Sequence, residues 1–352
     1  MSERCGDDPA TRAALARVDA LEEQGDLVAA LDALVQVDGP PQSATLERRL
    51  VRLRRAAFSQ LGSASVPWPP DTFSTVEPAS PGGFEVTPAE FDTETLATGI
   101  LRHGHVLVRG LVPPERVARL RDAVDRTFDA HYEVARGAAT PQTQSWCDPL
   151  EDVPDIAAHR FMVRAAAGIL TADSPRALFE LLETIRALGI DRMIAEYFGE
   201  RPALSVKKCT LRRLRLLDWR VYWKLFLSNW HQDGSFLGPG IRTVNAWFAL
   251  SHCGRHAPGM QLVPARLDRL LAAGERGAIF DWTVSRRTIA RALPGIPIWE
   301  PEFEPGDVLF FDHWCLHRTA PKLWQWRSRY AIETWFFAPS VYADDPRTAL
   351  VV

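Results

Sequence analysis

A chain of 352 residues, 46% apolar and 24% charged, has ordinary globular composition and enough length for one large domain with an appendage. Its net charge of −3 and pI of about 6.3 give no electrostatic support to a general nucleic-acid or acidic-membrane role. Five cysteines, widely spaced and without a CxxC pair, argue against a disulfide framework or a cysteine zinc site and suit a reducing compartment.

Residues 1–62 read as a helical appendage. Leu15, Val18 and Leu21 share one face, Gly25-Asp26 interrupts, and Leu27, Leu31, Leu34 and Val35 resume the pattern. Pro40-Pro41 ends that helix, and Leu46, Leu50, Leu53, Ala57 and Leu61 line a third. Residues 63–90 carry six prolines and Gly82-Gly83, the composition of a semi-stiff linker or a strap laid over the next domain. From 91 to 352 helix and strand mix. HVLVRG (105–110) predicts a strand, and Pro113-Pro114-Glu115 opens a helix with Val117, Leu120 and Val124 inward. Weak periodicity over 136–160 predicts a loop; Ser174-Pro175 is an N-cap and first-turn pair for a helix to about Leu188, with another near 190–198. Thr243 to Leu250 alternates, with Val244, Ala246, Phe248 and Leu250 on one face and Asn245 and Trp247 on the other. Asp307–Phe311 and Arg329–Phe337 are further strands. Many strands preceded by helices predict a mainly β fold, a double-sheet jelly roll backed by helices.

The chemistry concentrates in NWHQDG (229–234). His231 and Asp233 are two apart, so an extended strand presents both on one side, where they can share a metal. A third ligand is offered by EPGDVLFFDHWCLH (304–317), where a Pro-Gly turn feeds an apolar strand that delivers His317 at its far end. Two histidines and one carboxylate occupy one face of an octahedron and leave three positions open, which suits iron(II) that must bind a chelating co-substrate and dioxygen together.

From about 99 to 338 the chain resembles the phytanoyl-CoA dioxygenase family of iron(II), 2-oxoglutarate-dependent oxygenases. The resemblance is carried by GHVLVRGLVPPERVARLRDAV, WHQDGSF, NAWFALSHCGRHAPGMQLVPA, EPGDVLFFDHWCLHRTAP and RYAIETWFF. It implies a double-stranded β-helix (cupin-like) core with His231, Asp233 and His317 on iron. It also implies Arg329, twelve residues after His317, as partner of the distal oxoglutarate carboxylate, with Thr319 supporting that carboxylate and Trp247 as a wall of the pocket. A guanidinium suits that carboxylate because it grips it at two points. Arg327 competes, but the alternation from Arg329 through Ala331 and Glu333 favours Arg329; its structural alternative is a surface arginine paired with Glu333. Val263-Pro-Ala-Arg stands where the family often has Gly-Ser-His, which puts any role for that turn in doubt.

Other groups have structural readings. His313 forms an H-x3-H pair with His317, but the preceding strand pattern makes it a supporting or packing residue. His252 and His256 flank Cys253 in a loop better read as solvated or packed than as zinc-binding. LRRLRLLDWRVYWKLF (211–226) is either a lip for an anionic substrate or amphipathic strands with a solvated basic face, and the second is favoured. The opening MSERCGDDPATR lacks a signal-peptide pattern and no stretch approaches bilayer-spanning length, so a soluble cytoplasmic protein is expected, with no membrane or nucleic-acid partner. The expected activity is hydroxylation or another oxidation of an unactivated C–H bond in a small organic molecule, with dioxygen consumed and oxoglutarate decarboxylated to succinate. The family's substrates include acyl thioesters, amino-acid derivatives and natural-product scaffolds, so anionic and carrier-bound molecules are in range. The rivals are a non-catalytic jelly-roll binding protein and an oxygenase acting on a protein.

Overall fold

Residues 9–37, 43–62, 67–73, 81–214 and 230–352 are described by the structure, a computed structural model. Three helices come first, α1 (Pro9–Glu23), α2 (Leu27–Val35) and α3 (Ala44–Ala57). Gly25, at φ +76°, turns α1 into α2, and the Asp26 carboxylate caps α2 by accepting from the Ala29 N–H at 3.0 Å. Pro40-Pro41 lies outside the described residues. The apolar faces of these helices meet at Val18, Leu31, Leu34, Leu50 and Leu53, and the same cluster takes in Ala203, Ala349 and Val351 from the edge of the large sheet. Arg54 is buried there and donates from Nη1 to the Val351 carbonyl at 2.6 Å.

The middle of the chain alternates: β1 (Glu85–Val86), α4 (Thr93–Thr98), β2 (His105–Val108), α5 (Pro114–Ala135), α6 (Ile156–Ala165), β3 (Gly168–Leu170), α7 (Pro175–Ala187), α8 (Ile190–Phe198), β4 (Ala203–Ser205) and β5 (Thr210–Leu214). In the 63–90 stretch, β1 pairs in parallel with β2, and Trp68, Phe84 and Val86 pack on the core. Helix α6 begins inside the stretch expected to be a loop. Its periodicity is faint because only Ile156 is buried, while Phe161 and Met162 stand 74% and 56% exposed. Ser174 does sit at the N-cap of α7, but its hydroxyl makes no cap; it lies 2.9 Å from the Thr127 hydroxyl of α5.

The last third holds α9 (Gly234–Leu237), β6 (Thr243–Ala249), β7 (Gly259–Leu262), α10 (Arg286–Ala292), β8 (Val308–Phe311), β9 (His317–Ala320), β10 (Arg329–Phe337) and β11 (Ala349–Val351). The large sheet has nine strands in the order β1-β2-β8-β6-β10-β4-β11, with β5 on the first half of β10 and β3 beyond it. A short sheet pairs β7 with β9 and is extended by bridges from His317 to His231 and from Leu262 to Trp299. One face of the large sheet meets the helices through Val244, Ala246, Phe248, Leu250, Phe310, Ile332 and Phe336. The other meets the short sheet, where Leu107, Trp247, Leu309, Phe311 and Ala331 pack with Met260 and Leu262. Covered on both faces, all seven residues of β6 are buried. Each fully buried phenylalanine contributes roughly 2–3 kcal/mol.

The Pro305-Gly306 turn into β8 is pinned by Asp307. Its carboxylate accepts from the Gly110 N–H at 2.8 Å, the Glu304 N–H at 2.9 Å and Arg109 Nη1 at 2.7 Å. Gly306, at φ +102°, comes so near the Val112 carbonyl that a Cβ would sit 2.6 Å from its oxygen. No helix among the described residues is long and apolar enough to cross a membrane.

Candidate metal and co-substrate site

The HxD segment converges on one site, though not as a strand. Only His231 is bridged: its N–H donates to the His317 carbonyl, and the His317 N–H donates back, both at 3.0 Å. Asp233 has helical angles (φ −63°, ψ −27°) and starts α9. The buried Gln232 side chain locks this turn. It donates to the carbonyls of Arg269 (2.9 Å) and Trp314 (2.8 Å), and accepts from the Leu271 N–H (2.7 Å). The Gly234 N–H donates to the His313 carbonyl at 3.0 Å. His317 likewise is not the end of the apolar strand. Strand β8 stops at Phe311, a turn through Asp312–Cys315 intervenes, and His317 opens β9.

These elements bring His231, Asp233 and His317 together. One ligand atom from each lies within 4.8 Å of the others, the one such group of three among the described residues. Asp233 Oδ1 is 3.5 Å from His231 Nε2 and 3.8 Å from His317 Nε2. His317 Nδ1 is 3.0 Å from the Cys315 carbonyl; as a donor there it leaves Nε2 with its lone pair facing Asp233. Burial holds His317 neutral, its pKa pushed down to about 3 by desolvation with His231 adding to the fall. Asp233 is buried and its Oδ1 has no hydrogen-bond partner among the described residues. Desolvation raises its pKa well above the usual range, with Lys208 as the leading opposing charge and an Asn245 hydrogen bond also lowering it. A buried carboxylate facing two imidazole lone pairs is costly alone and is relieved by a cation. The donor set therefore fits a divalent metal.

Arg329, first residue of β10, is buried with Nε unpartnered, and no ion pair to it occurs among the described residues. Its guanidinium carbon lies 5.1 Å from the centre of the Trp247 ring, and burial lowers its pKa. The alternative of a surface pair with Glu333 is overturned: Glu333 accepts from Arg212 Nη2 and the Thr210 hydroxyl, both at 2.8 Å. Burial raises the Glu333 pKa, but Arg212 outweighs it and brings the carboxyl down to about 2. Arg327 is exposed, with its guanidinium 4.8 Å from the Trp326 ring centre. Thr319 is half-buried and lies two residues after His317 on β9, hence on the same face of that strand.

The other histidines stay apart. His313 is outside the three-residue group and contacts the Thr243 hydroxyl at 3.4 Å. His252 pairs with Glu304 at 2.6 Å, and Cys253 bridges to Phe303. Of the basic stretch 211–226, the described part is β5, where Arg212 pairs with Glu333 and Arg213 with Asp125 (2.8 Å) and Asp129 (3.0 Å); the rest lies outside the described residues. Cys147, Cys209, Cys253 and Cys315 are unpaired and buried. Sequence reasoning missed Gln232, Asn245 and Lys208 as parts of the site. Only Asn245 carried a signal, since it shares the inward face of β6 with Trp247.

The fold is mixed helix and sheet rather than the mainly β one expected, because ten helices among the described residues flank and precede the strands. The two-histidine, one-carboxylate group it carries is a donor set suited to non-haem iron. Residues 226–323, which include His231, Asp233 and His317, match the family model described as phytanoyl-CoA dioxygenase (PhyH). The protein is a non-haem iron, 2-oxoglutarate-dependent enzyme. Among solved structures it is similar to AviO1 from Streptomyces viridochromogenes Tue57 (15% identity, 71% of this chain and 96% of that one, TM-score 0.43). It is also similar to the carbocyclase SnoK from nogalamycin biosynthesis (15%, 73% and 87%, TM-score 0.45). A third is EctD from S. alaskensis with 2-oxoglutarate and 5-hydroxyectoine (15%, 77% and 83%, TM-score 0.47). No curated protein matches the sequence.

Proposed function

We propose that the protein oxidises an unactivated C–H bond of a small organic molecule, with His231, Asp233 and His317 holding iron(II) and Arg329 holding the distal carboxylate of 2-oxoglutarate. The carrying observation is the buried Asp233 oxygen that faces two imidazole nitrogens and has no hydrogen-bond partner among the described residues. Iron(II) with oxoglutarate supplies the activation of dioxygen, oxoglutarate leaving as succinate and carbon dioxide. The chain's own residues position and shield. Gln232 fixes the turn that presents His231 and Asp233, the Cys315 carbonyl sets the His317 tautomer, and Asn245 orients the Asp233 carboxylate. Arg329 suits a carboxylate because a buried guanidinium whose Nε has no partner among the described residues is stabilised by an anion delivered to it. Thr319, on the His317 face of β9, is read as a further donor to that carboxylate, and Trp247 as the wall beneath the guanidinium.

In this reading the large and short sheets are the two layers of a double-stranded β-helix. Residues 1–62 form a helical unit docked on its edge, 63–90 a strap, and 91–352 the oxygenase domain. The test is oxoglutarate turnover. Protein given iron(II), oxoglutarate and dioxygen is expected to form succinate slowly without substrate, and His317→Ala is expected to abolish it. Equal succinate formation by the two proteins would overturn the reading.

A further inference from the structure

Beside the three-residue group lies a second cation without an ion pair among the described residues. Lys208 follows β4 and is half-buried; its N–H donates to the Ser205 carbonyl at 3.0 Å, but its ammonium has neither hydrogen bond nor ion pair among the described residues. Its Nζ lies 4.6 Å from the centre of the Phe236 ring and 5.7 Å from that of Trp335. Two ring faces offset part of the cost of burying an ammonium, but they accept none of its three hydrogen bonds. Of the neighbouring carboxylates, Asp344 pairs with Lys207 at 3.1 Å and Glu333 with Arg212 at 2.8 Å, while Asp233, which attracts Lys208 without an ion pair to it among the described residues, is the carboxylate assigned to the metal.

The rings around Lys208 continue to the metal ligands. Phe236 stacks on Trp335 at 6.1 Å and meets Trp282 edge-on at 5.9 Å. Trp282 in turn meets the His231 ring edge-on at 5.4 Å. Phe236 is 42% exposed, so this aromatic wall opens to solvent and is reachable by a ligand. One wall thus runs from a metal-ligating histidine to an unpaired ammonium.

The charges around this wall nearly balance once iron and oxoglutarate are bound, and the inference rests on that reading of the site. Arg212 and Glu333 cancel. Iron(II) with Asp233 leaves one positive charge, and dianionic oxoglutarate with Arg329 leaves one negative charge. The loaded interior is then neutral except for Lys208. We infer that Lys208 is a specificity-determining residue, its ammonium receiving an anionic group, carboxylate or phosphate, of a substrate whose flat apolar body lies against Phe236, Trp282 and Trp335. The substrate is thereby held at both ends, its anion on Lys208 and its body beside His231. A solvated neutral molecule would leave a half-buried ammonium unpaired.

Calorimetric titration of the full-length protein, loaded anaerobically with iron(II) and saturating oxoglutarate, tests this with 2-naphthoate, 2-naphthyl phosphate and neutral 2-naphthamide. The wild type is expected to bind at least one anion about tenfold or more tightly than the amide, and which anion wins separates carboxylate from phosphate recognition. Lys208→Met is expected to lose that preference while its affinity for the amide stays within about threefold, and Lys208→Arg to restore it. Equal affinity for anions and amide, absence of binding by both anions, or a preference that survives in Lys208→Met would each overturn the inference. The charge-transfer absorption of the loaded protein separates the two levels. If it is present without anion preference, only the Lys208 inference fails. If it is absent from the wild type, the iron and oxoglutarate reading fails with it.

Discussion

The two faces of strand β10 have opposite characters. Toward the helices, Tyr330, Ile332 and Phe336 join a continuous apolar core. Toward the short sheet, Arg329, Glu333 and Trp335 alternate with them, and the Nε atom of Arg329 and the Nε1 atom of Trp335 have no hydrogen-bond partner among the described residues. Neighbouring β6 repeats the contrast, with Phe248 outward and Asn245 inward near Asp233. Satisfied packing on one side holds unsatisfied polar groups on the other, which is how a site keeps groups that folding alone would reject.

Removing the site's own charge should separate the faces most sharply. Asp233→Ala is expected to lower oxoglutarate turnover on the order of a thousandfold or more, while urea unfolding shows no loss of stability, because the change deletes a buried carboxylate with an unpaired oxygen. A large drop in stability would mean that the inner face also holds the fold together. Next come paired changes on β10. Arg329→Met should raise the KM for oxoglutarate roughly 100-fold, about 3 kcal/mol, with the fold intact. Ile332→Ala, three residues along, should cost ~3 kcal/mol of stability and leave that KM within a few-fold. Steady-state kinetics and denaturant titration of both variants would break the comparison if the effects were exchanged.

His105 is an inner-face polar group that is satisfied. Its Nε2 accepts from the Phe84 N–H at 3.2 Å and its Nδ1 lies 3.2 Å from the His103 carbonyl, an arrangement only the neutral ring completes. Burial lowers its pKa to about 4 from an ordinary 6.5. A depressed folded-state pKa means that stability is fully present above about 6.5 and is lost as pH falls toward 4. Between pH 7 and pH 5 the loss should be about 2 kcal/mol. Denaturant titrations at the two pH values check it, with His105→Gln expected to flatten the dependence. The smallest effect is Thr319→Val, expected to raise the KM for oxoglutarate a few-fold, about 1 kcal/mol, and to leave stability unchanged.

Much of this was legible because local pattern and tertiary burial agree. Strand β6 sends Val244, Ala246 and Phe248 to one core and Trp247 to the other as its sequence alternates, α5 buries Val117, Leu120 and Val124, α7 starts at its Ser174-Pro175 signal and α8 spans Ile190–Phe198. That His231, Asp233 and His317 come together was legible too, for partly mistaken local reasons. Asp233 joins His231 through a helical turn rather than an extended strand, and His317 heads β9 rather than ending β8. Both outcomes depend on contacts distant in sequence, such as Gln232 bound to residues 269, 271 and 314. Lys208 was invisible for the same reason, since neither Phe236 nor Trp335 is near it along the chain. Helix α6 was missed because it splits its apolar residues, Ile156 and Val163 packing on the core while Phe161 and Met162 stand exposed, which blurs the period.

The inner face of the sheet matters only if its ligands bind iron and oxoglutarate together. Anaerobic absorption titration of the full-length protein with iron(II) and then 2-oxoglutarate measures this directly. The expected result is a metal-to-ligand charge-transfer band that saturates at one equivalent, disappears in His231→Ala and needs far more oxoglutarate in Arg329→Met. No band in the wild type, or an unchanged band in His231→Ala, would contradict the assignment.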